Sequence, residues 1–115
     1  MKINYEKIRK DDTVVEIEPE EIKVEVNFID VKTYYLTPLE ALLYAIVKKY
    51  GNYNVVERKW VKIPAMINGI FRHFTGTVDI RQALDSLVEK RLLVEADTFL
   101  SGLGDVEDRI LRLAK

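Results

Sequence analysis

Apolar residues change their spacing along this chain, and the change divides it. Over residues 22–28, Ile22, Val24, Val26 and Phe28 alternate with Lys23, Glu25 and Asn27, the period of a strand with one wet face. Residues 13–18 and 31–36 are rich in β-branched and aromatic side chains and read as further strands. A first short strand falls at residues 2–8. Asp11-Asp12 and Pro19-Glu20 supply turns, so residues 1–36 predict an N-terminal antiparallel β-meander.

From Thr37 the spacing becomes helical. Thr37, Pro38 and Glu40 form a capping-box start, and Leu39, Leu42, Leu43, Ile46, Val47 and Tyr50 keep one face until Gly51. Residues 52–62 read as a loop and then a short strand. Pro64 opens a second helix through Ala65, Ile67, Ile70, Phe71 and Phe74, weakened by Asn68-Gly69. In a third helix Ile80, Ala83, Leu84, Leu87 and Val88 share a face. Thr77 is its N-cap, Asp79 suits its first turn, and Lys90 and Arg91 suit its last. Residues 92–95 and 98–101 predict a hairpin across Ala96-Asp97. After Gly102 and Gly104, Asp105 caps a last helix bearing Val106, Ile110, Leu111 and Leu113.

Composition narrows the function classes. The 115 residues are 48% hydrophobic and 32% charged, which suits a globular chain of one domain. No apolar run approaches the roughly 18 residues of a membrane span, and residues 1–7 lack a signal-peptide core. With no cysteine, disulfides, thiolate catalysis and cysteine zinc sites are excluded. A cytoplasmic location without membrane insertion is expected. Abundant, sign-balanced charge and a single glutamine fit a thermophilic source. Charge is uneven along the chain. Residues 1–36 carry six basic and nine acidic side chains, residues 37–76 six and two, and residues 77–115 six and eight. The basic excess lies in the middle third.

The run Ile80-Arg-Gln-Ala83-Leu84-Asp-Ser-Leu87 into Leu92-Leu93-Val94, after helices at residues 39–50 and 64–74, resembles the winged helix-turn-helix superfamily. The resemblance covers residues 37–101. It implies a winged helix-turn-helix core (residues 37–101); with the N-terminal antiparallel β-meander as an arm (1–36) and a C-terminal helix (102–115) that could form a dimer contact or fold back on that arm, an α+β fold is expected. It also implies a non-enzymatic DNA-binding protein, a transcription regulator, with the third helix in the major groove of double-stranded DNA. Arg81 would then read guanine and Gln82 adenine, with Thr77 beside them. Asp79, Asp85 and Glu89 share that outer face and would repel a polyanion. The proposed wing has no lysine or arginine between Leu92 and Leu103. Winged helices also serve as protein-docking modules, through the β-arm or the third helix.

Arg58, Lys59, Trp60 and Lys62 interleave basic and aromatic side chains as nucleic-acid-binding strips do. The same pattern also fits a tryptophan packed on a core among solvated charges. His73 is the sole histidine and lacks a ligand partner, so no metal is expected. Ser86 and Ser101 have no recognisable base, and Gly102-Leu-Gly104 is too short for a phosphate loop. No cofactor and no catalytic residue is expected.

Overall fold

The computed structural model describes residues 5–9, 12–18, 22–51, 59–63, 80–97 and 109–114. Their strands are β1 (Tyr5–Glu6), β2 (Val14–Glu16), β3 (Trp60–Ile63), β4 (Leu93–Ala96) and β5 (Arg109–Leu113). Their helices are α1 (Phe28–Tyr34), α2 (Pro38–Tyr50) and α3 (Ile80–Glu89). The chain is α+β, with a mixed five-stranded sheet in the order β1-β4-β5-β3-β2.

The middle of this sheet is antiparallel. Val61 faces Leu111 across β3 and β5, and Leu93 faces Leu113 across β4 and β5. Side chains alternate between the two faces of each strand. Val61, Ile63, Leu93, Leu111 and Leu113 point toward the helices, where they form the main core with Leu43, Ile46 and Val47 of α2 and Ile80, Leu84, Leu87 and Val88 of α3. Trp60, Val94, Ala96 and Ile110 point the other way into a smaller cluster covered by Ile8 and Val14.

The N-terminal arm is where sequence and structure part. No meander forms among its described residues. β1 pairs in parallel with β4 and β2 in parallel with β3, so the arm's two strands cap opposite edges of the sheet. The apolar alternation at residues 22–24 is real, since Ile22 and Val24 pack on the core while Lys23 is exposed. Its backbone, however, is served by α2 side chains in place of a neighbouring strand. Lys23 N–H donates to the Tyr50 hydroxyl (3.3 Å), and Lys23 O accepts from Lys49.

Residues 28–34, which include the end of one expected strand and most of the next, are helical. Asn27 Oδ1 accepts from the Ile29 N–H (2.8 Å), which caps α1, and Asp30 sits in its first turn. Lys48 Nζ holds Asp30 from α2 at 3.0 Å. Leu36 N–H returns to Val31 O (3.1 Å), and both side chains join the core. These caps and contacts outweigh the β-propensity of Val31, Thr33 and the tyrosines.

The C-terminal helix is likewise overturned. Residues 109–113 form the central strand β5, and Ile110, Leu111 and Leu113 are buried within the protomer. They are therefore unavailable as a dimer surface. Apolar residues at i, i+1 and i+3 suit a strand covered on both faces as well as a helix, and only the neighbouring strands decide between them. The expected pairing of residues 92–95 with 98–101 is replaced by the pairing of β4 with β5; residues 98–101 lie outside the described residues, as does the second predicted helix.

Helices α2 and α3 stand where they were expected, although the expected Thr77 cap of α3 lies outside the described residues and Lys90 and Arg91 follow its end. The capping box of α2 is complete, with Glu40 N–H donating to Thr37 Oγ1 (3.2 Å) and Thr37 N–H to Glu40 Oε1 (2.9 Å). Gly51 ends the helix, and a Cβ there would lie 2.6 Å from Val47 O and 3.2 Å from Lys59 O. The missing side chain lets the chain leading into β3 run past the helix end.

Candidate interaction surfaces

The third helix divides as its spacing predicts. Ile80, Ala83, Leu84, Leu87 and Val88 are buried, while Arg81, Gln82, Asp85 and Glu89 face solvent. Asp85, although exposed, joins an ion-pair group with the sheet. Arg109 on β5 bonds Asp85 Oδ1 (2.7 Å) and Glu95 Oε2 (2.7 Å) and donates to Arg81 O (3.1 Å). Burial alone would lower the Arg109 pKa, but Glu95 and Asp85 together raise it. The guanidinium therefore remains charged and fixes the N-terminal half of α3 to the sheet.

The expected basic strip does not join this helix in one surface. Trp60 is 2% exposed. Its Nε1 donates to Asp12 Oδ2 (3.3 Å), and Arg112 stacks over its ring at 5.1 Å. Strand alternation puts Lys62 on the same side, away from α3, where it meets Glu16 at 3.7 Å. Lys59 is half-buried, with its N–H bonded to Gly51 O (3.2 Å). Trp60 thus takes the core reading, and its ring is not open to base stacking. Arg58 and Thr77 lie outside the described residues, as does His73.

Between α2 and α3 lies a buried polar junction that sequence spacing did not indicate. Glu40 is 4% exposed. Its Oε2 accepts from Ser86 Oγ (2.5 Å) and Lys90 Nζ (3.1 Å). Burial alone would raise the Glu40 pKa, but hydrogen bonds from Ser86, the Thr37 backbone and Lys90 outweigh it and lower the pKa from the ordinary 4.5 to about 2. A carboxylate held that low is a poor general base for the Ser86 hydroxyl. The group works as a clamp between helices.

A second surface escaped the sequence reading because apolarity does not tell inside from outside. In and around α1, Phe28 is 83% exposed, Ile29 73% and Tyr35 87%, and Tyr34 and Val26 are also open. Large apolar side chains left open together in one short segment are a mark of interaction surfaces. Beside them is a cleft of about 420 Å³ between residues 25–30 and α2, lined by Leu36, Ala41, Tyr44 and Ala45 with Glu25 and Lys49 among its charged residues.

No family model, curated protein or solved structure matches this chain. Among the described residues no group of three or more His, Cys, Asp or Glu side chains is placed to hold a metal ion, and no helix is long and apolar enough to cross a membrane.

Among the described residues, two carry backbone strain. Tyr35 (φ 54°) and Arg91 (φ 60°) are left-handed, each just beyond a helix end where glycine is the usual occupant. After α3, Leu92 N–H returns to Leu87 O (3.1 Å) and Arg91 N–H to Val88 O (3.0 Å), the double closure that requires this conformation. Arg91→Gly is expected to stabilise the fold by about 1 kcal/mol, read as a higher urea midpoint with an unchanged m-value. Tyr35→Gly is expected to do the same. The tyrosine therefore costs stability while presenting its ring to solvent, a combination associated with function.

Proposed function

We propose that this chain is a non-enzymatic, cytoplasmic winged-helix module that docks protein and does not read DNA. The order α2, β3, α3, β4, β5 supports the winged-helix part, with residues 64–79 at the place of the second helix and β3, β4 and β5 as one antiparallel unit. The wing then becomes the connection between β4 and β5, residues 97–108. It contains Asp97, Asp105, Glu107 and Asp108, together with Phe99, Leu100, Leu103 and Val106, and no lysine or arginine. Such a segment repels phosphate and suits an apolar protein contact. The observation that carries the docking reading is the exposure of Phe28, Ile29 and Tyr35.

DNA binding is the second reading, favoured by Arg81 and Gln82 standing side by side on the solvent face of α3 while Asp85 is turned to Arg109. A salt titration with random-sequence duplex separates the two. Docking predicts no binding even at about 50 mM salt, where a protein contacting several phosphates binds far more tightly than at 200 mM. Binding that falls steeply with salt would reject docking as the main role. In that case Lys59→Ala and Lys62→Ala should weaken all sequences alike. Arg81→Ala should instead shift sequence preference by about 1–3 kcal/mol.

A further inference from the structure

We propose that the face of the sheet turned away from α2 and α3 is a docking site for an extended acidic peptide of a partner protein. The chain's own N-terminal arm fills that site and competes for it. This inference rests on the docking reading, adds a second surface to it, and names the partner's chemistry.

The face itself is cationic. Its three central strands contribute Trp60, Lys62, Val94, Ala96, Ile110 and Arg112, with no carboxylate among them. The Arg112 guanidinium stacks over the Trp60 ring at 5.1 Å. Left bare, this face would show water two cations, a tryptophan and a floor of small and branched apolar side chains.

The arm supplies what the face lacks. Three of its carboxylates reach three donors there: Glu6 meets Arg112, Asp12 meets Trp60 Nε1 (3.3 Å) and Glu16 meets Lys62 (3.7 Å). Ile8 and Val14 pack on the smaller cluster between them. Lys7 and Arg9, at the alternate positions, are exposed. An extended chain with carboxylates and apolar groups on one side and its cations on the other thus matches the face in charge and in apolarity. The backbone adds to the match. β1 lies in register on the edge of β4, and Asp97 N–H donates to Glu6 O (2.9 Å), which is recognition by strand addition.

The part of the arm ahead of β2 is lightly held. Its ladder with β4 is two residues long, Tyr5 and Glu6 are exposed, and Ile8 is only half-buried. Ile17, just after β2, is instead buried in the main core and keeps the arm tethered. Segments with few buried contacts and exposed backbone bonds open at the lowest free energy. A partner strand of the same pattern replaces each contact that opening loses, and the tether sets how tightly it must bind to win.

Trp60 is the only tryptophan, so its fluorescence reports the cover directly. In the full chain, Glu6→Lys with Ile8→Asp is expected to keep the wild-type circular dichroism while Trp60 emission shifts to the red and acrylamide quenching rises. Glu6→Lys alone, at an exposed position, serves the same comparison if the double variant unfolds. The probe is a twelve-residue synthetic peptide in which Glu and Val alternate with Thr. It is expected to bind the opened chain with a Kd of tens of micromolar and to protect Trp60 again. Wild type should bind about tenfold more weakly, since an arm closed about nine times in ten lowers apparent affinity by that factor. The same peptide with Gln in place of Glu should also bind about tenfold more weakly, and Arg112→Gln in the opened chain should erase that difference.

A Trp60 that stays protected in both variants would overturn the inference. So would an opened chain that ignores the peptide at about 500 µM, or a preference for Glu that survives Arg112→Gln. Equal binding of the Gln peptide, or binding of a thymidine oligonucleotide in place of either peptide, rejects an acidic peptide as the ligand. Each of these outcomes leaves the docking reading standing on α1; salt-sensitive duplex binding by the wild type rejects that reading itself.

Discussion

A chain that stops at Asp108 will not fold. Residues 109–113 are the central strand β5, bonded to β4 on one side and β3 on the other. Removing them leaves the outer strands as two separate parallel pairs, β1 with β4 and β2 with β3, which are too small to be stable. The truncation also deletes Ile110, Leu111 and Leu113 from the two clusters. Replacing one buried leucine or isoleucine by alanine costs about 2–5 kcal/mol, and a small domain has only about 5–15 kcal/mol in total. Loss of all three, with the sheet's central ladder, exceeds that margin. The expected result is a urea titration of the truncated chain without a cooperative transition. A folded, cooperative product would mean that this segment is a dispensable appendage, as the expected C-terminal helix would have been.

Replacing Glu40 is expected to destabilise the protein by about 3 kcal/mol at neutral pH, the free-energy equivalent of lowering a carboxyl from 4.5 to about 2. Glu40→Gln keeps the size of the side chain and an acceptor for the Thr37 N–H. It removes the charge that Lys90 and Ser86 meet inside the α2–α3 junction. The sign of the pH dependence follows from the lowered value. The contribution is complete above the unfolded-state value of 4.5 and is lost as pH falls through about 2. The stability gap between wild type and Glu40→Gln should therefore be widest above about pH 5 and close toward pH 2. Chemical denaturation at several pH values measures it. A gap that does not change with pH would assign the loss to packing alone.

The parts of the fold that were legible in the sequence are those whose causes are local. Thr37, Pro38 and Glu40 start α2 by a reciprocal cap that needs no neighbour beyond four residues. The apolar stripe of α3 is its buried face, residue for residue. The short strands β3 and β4 also fall where apolar runs follow loops or helices. The misread segments owe their state to distant groups. Alternation at residues 22–28 describes an extended chain but cannot supply a partner strand, and side chains of α2 take that place. In β5, Arg109 and Arg112 interrupt an apolar run in a way that suits an amphipathic helix. They are accommodated in a central strand because Asp85 and Glu95 receive one, and Glu6 the other.

The candidate site followed the same division. Arg81 and Gln82 were correctly placed on the outer face of α3, since helical period alone decides that. That Trp60 is buried behind the sheet depends on the arm strand β2 and on Asp12, forty-eight residues away in sequence. The exposure of Phe28, Ile29 and Tyr35 depends on α1 packing on α2 through Asp30 and Val31, which leaves those three side chains outward, and the same apolar letters would suit a core strand equally well.

By itself, then, the sequence determined the capped start of α2, the buried stripe of α3, and the absence of cysteine chemistry, because caps, helical period and composition act within a turn or within a single side chain. Only the tertiary structure decided that the arm caps both sheet edges, that the C-terminal segment is the central strand, and that an aromatic face is left open on α1. Strand pairing and burial are properties of what a segment meets, and what these segments meet lies far along the chain.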